Sequence, residues 1–288
     1  MRVFHFLILA TAMPVAAQST IAPAQASAYA ANAGWVNFRP SAADGVVVDE
    51  AFLSGYAYAA NFGWIHFGDG SPANGYAYAN NSATDCGVNH DGQGNLGGYA
   101  WSANTGWIHF GWATANDSNR PRIDLLTGEF SGYAWSPNLG WLNLGGGLLK
   151  TSSIHYADSD GDGIADAWEF ARFGNLNAAN ATSDADHDGQ SDAAEYGFDT
   201  LPSDATSRFR ILSQSLNAAV NSNQLSWSSS PRRLYRLEYA ANLAGPWTQS
   251  SLGTIVPDAG ASTTRSLAFP TGPRTFFRAV SVRPLSTD

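Results

Sequence analysis

Gly98-Tyr99-Ala100-Trp101-Ser102-Ala103-Asn104-Thr105-Gly106-Trp107-Ile108-His109-Phe110 is the stretch on which the fold turns. Two runs of strand-forming Tyr, Trp, Ile and Phe flank Asn-Thr-Gly. In such a turn the Asn side chain bonds nearby backbone and the Gly accepts positive φ, so the stretch reads as a β-hairpin. The unit returns as Gly55-Tyr-Ala-Tyr-Ala-Ala-Asn61-Phe-Gly63-Trp64-Ile-His-Phe67 and as Gly132-Tyr-Ala-Trp-Ser-Pro-Asn138-Leu-Gly140-Trp141-Leu-Asn-Leu144. A partial copy runs from Tyr29 through Asn32, Gly34 and Trp35 to Phe38, and a half copy from Gly75 to Asn80 lacks its second strand. Upstream of the full copies lie further strand-turn pieces at Val46–Asp49, Asn89–Asp91 and Ile123–Leu126.

Strand side chains alternate between faces. Tyr56 and Tyr58 therefore oppose Ala57 and Ala59, while Trp64 and His66 oppose Ile65 and Phe67. Large apolar groups on both faces predict stacked or wrapped sheets rather than one open sheet. The Trp35, Trp64, Trp107 and Trp141 spacings of 29, 43 and 34 residues are too uneven for a regular solenoid. The expectation is an irregular β-hairpin repeat domain over residues 18–149. Buried and cross-strand aromatics are the common case, so the Trp and Tyr residues are expected in the core and its ladders. The functional alternative is a carbohydrate-binding surface, since aromatic faces stack on sugar rings. His66 and His109 stand where other copies have Asn37 and Asn143, which predicts a solvent-facing position rather than a metal pair. The unit resembles a G-Y-A-W-S-x-N-x-G-W repeat of exported bacterial proteins, a resemblance that names no chemistry.

The middle of the chain carries Asp158-Ser-Asp160-Gly-Asp162-Gly163 and Asp184-Ala-Asp186-His-Asp188-Gly189, with Glu169 and Glu195 at loop position 12. This is the D-x-D-x-D-G-x5-E spacing of an EF-hand calcium loop, met twice. A hard cation takes six to eight oxygen ligands at roughly 2.3–2.6 Å, and positions 1, 3 and 5 converge when the chain winds tightly. Gly163 and Gly189 take the sharp turn at position 6. Ile164 and Gln190 at position 7 offer their carbonyls. Asp166 and Asp192 at position 9 reach the ion directly or through water, and Glu169 and Glu195 supply bidentate carboxylates. The implied cofactor is Ca2+. Residues 157–204 hold twelve acids and one base, Arg172, hence −11, and the rest of the chain is +2, which sums to the net −9. Without a cation such loops repel themselves.

Ala165–Phe173 reads as a short exit helix ending at Gly174-Asn175, and Ser191–Gly197 as a shorter one; no clear entering helix precedes either loop. The segment resembles the loop-plus-helix units of dockerins and thrombospondin type 3 repeats. That resemblance implies a small α calcium-loop module over 150–205. Dockerins usually carry Asp at position 12, so a docking role is not carried over.

Residues 206–288 hold nine arginines, three acids and no lysine. Strand-like runs at Phe209–Leu212, Gln224–Trp227, Leu234–Tyr239, Thr264–Phe269 and Thr275–Val280 predict a small antiparallel sandwich. Trp227, Tyr235, Tyr239 and Trp247 resemble the pattern of fibronectin type III-like domains. The arginines alternate with apolar residues, which predicts a solvated face able to meet the acidic segment or an anionic surface polymer.

Arg2, the apolar run Val3–Ala10 and the Val15-Ala16-Ala17 site read as a signal peptide over 1–17, implying export. One cysteine, Cys86, cannot form an internal disulfide, and Cys86 with His90 makes at most half a zinc site. There is no G-x-S-x-G elbow, no H-E-x-x-H and no phosphate loop. Asp49, Asp91 and Asp124 lack partner acids, so no glycosidase pair can be argued. An acidic chain gives no nucleic-acid role. The reading is a mainly β, non-enzymatic, secreted or cell-surface structural or adhesion protein. Its partners would be calcium and a surface polysaccharide or surface protein, with calcium rigidifying the joint between two β-domains.

Overall fold

The computed structural model describes residues 18–41, 43–217, 222–268 and 275–286, and the predicted leader lies outside them. The first region supplies β1 (Ile21–Ala30), β2 (Gly34–Asn37), β3 (Val46–Val48), β4 (Phe52–Ala59), β5 (Gly63–Gly68), β6 (Val88–His90) and β7 (Leu96–Ser102). It continues with β8 (Gly106–His109), β9 (Arg122–Ile123), β10 (Phe130–Ser131), β11 (Tyr133–Ser136), β12 (Gly140–Asn143) and β13 (Leu149–Thr151). The four hairpins β1–β2, β4–β5, β7–β8 and β11–β12 are the repeat copies. They pair side by side, and β12 returns to β1 through Tyr29↔Asn143 and Ala30↔Leu142. Eight antiparallel strands thereby close a barrel, which leaves none of the eight staves as a sheet edge.

An irregular hairpin domain is therefore not what forms. The uneven spacing arises in the connections, where residues 69–95 and 111–131 run outside the staves and carry β6, β9 and β10. The half copy at Gly75–Asn80 forms no strand. Its buried Tyr78 instead accepts a hydrogen bond from the Gly70 amide at 2.8 Å.

The inward-facing strand residues shrink toward the turns. Phe38, Phe67, Phe110 and Leu144 occupy one tier, and Ala28/Val36, Ala57/Ile65, Ala100/Ile108 and Ala134/Leu142 pair across the next. At the turn end Ala30, Ala59, Ser102 and Ser136 face the hairpin glycines, and Phe62 and Leu139 of the turns themselves are buried in the same core. The turn asparagines link neighbouring hairpins. Asn61 donates to the Ala33 carbonyl, Asn104 to Phe62 and Asn138 to Thr105, at 2.8–2.9 Å. The opening glycine of each full copy is fixed by close approach. A Cβ on Gly55, Gly98 or Gly132, all at positive φ, would collide with the carbonyl of Gly45, Gly87 or Arg120.

Next come α1 (Asp166–Phe173) and α2 (Asp192–Phe198). They do not form the separate α module expected from the sequence. Ile164, Ala165, Trp168, Ala179 and Tyr196 are too few to sustain a core alone, and Tyr156 joins that cluster to the barrel core.

The last region holds β14 (Ile211–Asn217), β15 (Ser222–Ser228), β16 (Leu234–Ala240), β17 (Thr248–Gln249), β18 (Ser262–Ala268) and β19 (Phe276–Val282). The fibronectin type III-like sandwich is not present. The strands form two three-stranded sheets, β14-β15-β18 and β17-β16-β19, with β14 exposed along its length and β17 only two residues long. Leu225, Trp227, Tyr235, Leu237, Ile255, Leu267 and Ala279 supply their small core. No helix among the described residues is long and apolar enough to cross a membrane.

Candidate metal centres and the aromatic belt

In the first acidic loop the side-chain oxygens of Asp158, Asp160 and Asp162 lie within 4.8 Å of one another. The winding that gathers them is held by Asp158, whose Oδ1 accepts from the Gly161 and Asp162 amides and whose Oδ2 accepts from Gly163. Asp162 accepts from Ile164. Gly163 sits at φ 94°, where a side chain would be strained. Asp166 is occupied by the Ser159 amide and hydroxyl, so it braces the loop and would act on an ion through water. Ile164 buries its side chain in the small core while contributing backbone to the loop.

The second loop repeats this arrangement. The oxygens of Asp184, Asp186 and Asp188 again lie within 4.8 Å. Asp184 accepts from Asp188 and Gly189, Asp188 from Gln190, and Asp192 from Ala185. Gly189 sits at φ 93°. Ser191 caps α2, accepting from the Ala194 amide, a bond that Ala165 cannot offer α1.

Helices α1 and α2 carry the position-12 carboxylates into the protein. Glu169 and Glu195 are both fully buried. Neither oxygen of Glu169 has a hydrogen-bond partner; Glu195 has one bond, from Thr200, and its Oε2 has none. Asp162 Oδ2, Asp186 Oδ2 and Asp192 Oδ2 are likewise buried and unpaired. Burial, then the surrounding aspartates, pushes Glu169 up to about 7; burial does the same to Glu195, to about 7, against the Thr200 bond. Buried carboxylate oxygens without donors are costly, and a divalent cation is the group that satisfies several together. The donors on offer are carboxylates and backbone carbonyls, with no thiolate or imidazole, which suits a hard cation such as Ca2+. Among the described residues these two triplets are the only groups of three or more such side chains gathered closely enough to hold a metal ion, and Cys86 and His90 belong to neither.

No protein-family model, curated protein or solved structure matches the chain. Its residues alone carry the functional reading.

A node beside the loops joins all three regions through residues that no local motif marks. Arg233, almost fully buried, donates to the Tyr196 and Gly197 carbonyls of α2 and lies 3.7 Å from Glu50, between β3 and β4. Burial raises the Glu50 pKa against the pull of Arg233. Ser281 donates to the Gly197 carbonyl, Ser230 to Asp199, and Tyr156 to the Pro284 carbonyl. Arg208 reaches Asp188 Oδ2 at 3.2 Å. The arginines thus do more than form a solvated face: Arg233 is structural, and Arg208 meets a predicted ligand.

The three repeat-region aspartates weighed as candidate acids are each engaged by other groups. Asp49 holds His155 at 2.6 Å, Asp91 closes the 91–95 turn, and Asp124 accepts from Leu126 and Thr127.

Apart from Tyr78, the repeat tryptophans and tyrosines are not core. Tyr29, Trp35, Tyr56, Tyr58, Trp64, Trp101, Trp107, Tyr133, Trp135 and Trp141 are all exposed, Trp35 by 57% and Trp64 by 50%. They pair across each hairpin as Tyr29↔Trp35, Tyr58↔Trp64, Trp101↔Trp107 and Trp135↔Trp141. Next to them, His66 stacks on Tyr56 and His109 on Tyr99, at 4.8 and 4.5 Å between centroids. Both imidazoles are half-buried rather than free in solvent, and burial lowers their pKa.

Proposed function

We propose that this is a calcium-binding structural or adhesion protein, exported through its leader, in which two cations order the joint between the barrel and the C-terminal sheets. The observation that carries the reading is the pair of buried carboxylates, Glu169 and Glu195, each with an unpaired oxygen and each within electrostatic reach of the aspartates of its own loop, though outside the triplet gathered within 4.8 Å. Asp158, Asp160, Asp162, Glu169 and the Ile164 carbonyl would hold one ion. Asp184, Asp186, Asp188, Asp192, Glu195 and the Gln190 carbonyl would hold the other. The ions supply charge neutralisation rather than reaction chemistry.

The mechanical consequence runs through the helices. Fixing Glu169 fixes α1, whose Trp168 packs on Tyr196 of α2 at 5.6 Å between centroids. Fixing Glu195 fixes α2, whose Tyr196 and Gly197 carbonyls receive Arg233 and Ser281 from the C-terminal region. Glu50 and Tyr156 tie the same node to the barrel. At a hundredfold excess over Kd one site adds about 2.7 kcal/mol, enough to order so small a segment. Limited proteolysis of the full chain tests this. Cleavage between Tyr156 and Arg208 should be fast in chelator and slow in millimolar calcium; equal cleavage in both contradicts the reading.

A further inference from the structure

We propose that the aromatic belt of the barrel is a binding surface for a neutral polysaccharide. The inference rests on the barrel alone and stands or falls independently of calcium.

Outward positions on a barrel have no packing duty that only Trp or Tyr could perform. The interior is already closed by Ala, Val, Ile, Leu and Phe, all buried. Yet the outward-facing cross-strand pair nearest the turn is Trp or Tyr at every one of eight positions around the barrel. Exposed aromatics in such numbers work against solubility unless something covers them, and a contiguous exposed apolar patch marks an interaction site. Aromatic side chains suit the role because they are large, stiff and amphipathic.

Charge selects the occupant. The four hairpins, residues 27–38, 55–68, 98–110 and 132–145, contain no Asp, Glu, Lys or Arg. An anionic polymer or nucleic acid would call for basic side chains among the rings, and there are none. The polar groups that do accompany the belt are uncharged. Asn37 pairs with Tyr58, His66 with Trp101, His109 with Trp135 and Asn143 with Tyr29 across the seams between hairpins. Burial lowers both histidines, so they are neutral at pH 7. The belt therefore alternates aromatic rings with neutral hydrogen-bonding groups. A sugar chain presents the same alternation, with C–H faces that stack on rings and hydroxyls that bond to amides, imidazoles and phenols. The repetition of the motif in four hairpins gives a long chain several similar stations, so weak contacts add through avidity.

The experiment is affinity electrophoresis and pull-down of the mature chain on neutral polymers (cellulose, xylan, β-1,3-glucan, mannan, chitin) beside alginate and polygalacturonate. Each is run in calcium and in chelator, with Trp64→Ala, Trp107→Ala and the double variant. These side chains point outward, so circular dichroism and Tm should stay near wild type, which separates lost binding from lost fold. The expected result is retention by at least one neutral polymer in both conditions, weakened at least tenfold in the double variant. No retention by any neutral polymer, retention by the anionic polymers only, or binding unchanged in the double variant overturns the proposal. So does concentration-dependent self-association in the ultracentrifuge, or binding to phosphatidylcholine vesicles, that the same substitutions abolish. Retention with no effect of calcium on proteolysis would refute the metal joint and leave the belt standing.

Discussion

The barrel hairpins and the acidic joint solve opposite physical problems. The hairpins carry no ionic charge, hide Ala, Ile and Phe, and satisfy their backbone by pairing in a closed circle. The joint carries ten carboxylates in two loops, a core of five buried side chains and several buried oxygens without partners. One region is complete from its own side chains, while the other, on the proposed reading, would be completed by a bound cation. That reading sets a self-sufficient barrel beside a segment whose order would depend on its ligand.

Changes inside the barrel should break this contrast most strongly, and without regard to calcium. Phe67→Ala removes a fully buried ring that contacts Phe38 and Phe110, and should cost about 3–5 kcal/mol. The thermal midpoint should fall equally with calcium and with chelator. A calcium-dependent loss would mean that the barrel is not self-sufficient.

The node should show the next largest effect. Arg233→Met leaves Glu50 without its ion-pair partner and the α2 carbonyls without their donor, and should destabilise by about 3 kcal/mol. Proteolysis in calcium should then open the joint while the barrel remains intact. Asn104→Ala breaks one link between turns and should cost about 1 kcal/mol, read as a small shift in denaturant midpoint.

The pH response should separate the two regions with a smaller effect of definite sign. Glu169 and Glu195 sit at about 7 in the folded chain against 4.5 as the ordinary value. In chelator the folded state therefore holds more protons than the unfolded one between those values, and stability falls as pH rises from about 4.5 to about 7. Calcium bound there would compete with those protons, so its affinity should rise over the same window. Thermal midpoints at pH 5 and pH 7.5 should move down with pH in chelator and should not do so in millimolar calcium.

Much of this was legible in local sequence. Asn104-Thr-Gly106 announced a hairpin, and alternation placed Trp64 with His66 and Ile65 with Phe67. Alternation says which residues share a face, not which face turns inward. Closure points Ala30, Ala59, Ser102 and Ser136 inward beside the turn residues Phe62 and Leu139, which sends the neighbouring tryptophans out; that follows from closure, and closure is non-local. Nothing near Tyr29 signals that it pairs with Asn143. The loop lengths between hairpins hid the regular circle for the same reason, since they vary where nothing packs in register. The acidic loops were legible because their chemistry is local: Asp158 needs Gly163 five positions on, whatever surrounds them. Arg233 and Glu50 were not, because their meeting depends on how two distant regions dock. The C-terminal strand runs were found, but strand content alone does not determine how sheets associate.

The central claim is that both acidic loops are cation cages. Titration calorimetry of the full chain with calcium tests it most directly, alongside the Glu169→Gln, Glu195→Gln double variant. Two sites should appear in the wild type, with affinity strengthening between pH 5 and pH 7.5, and each substitution should remove or severely weaken one. No binding heat at millimolar calcium, or the same isotherm from the double variant, would contradict the account.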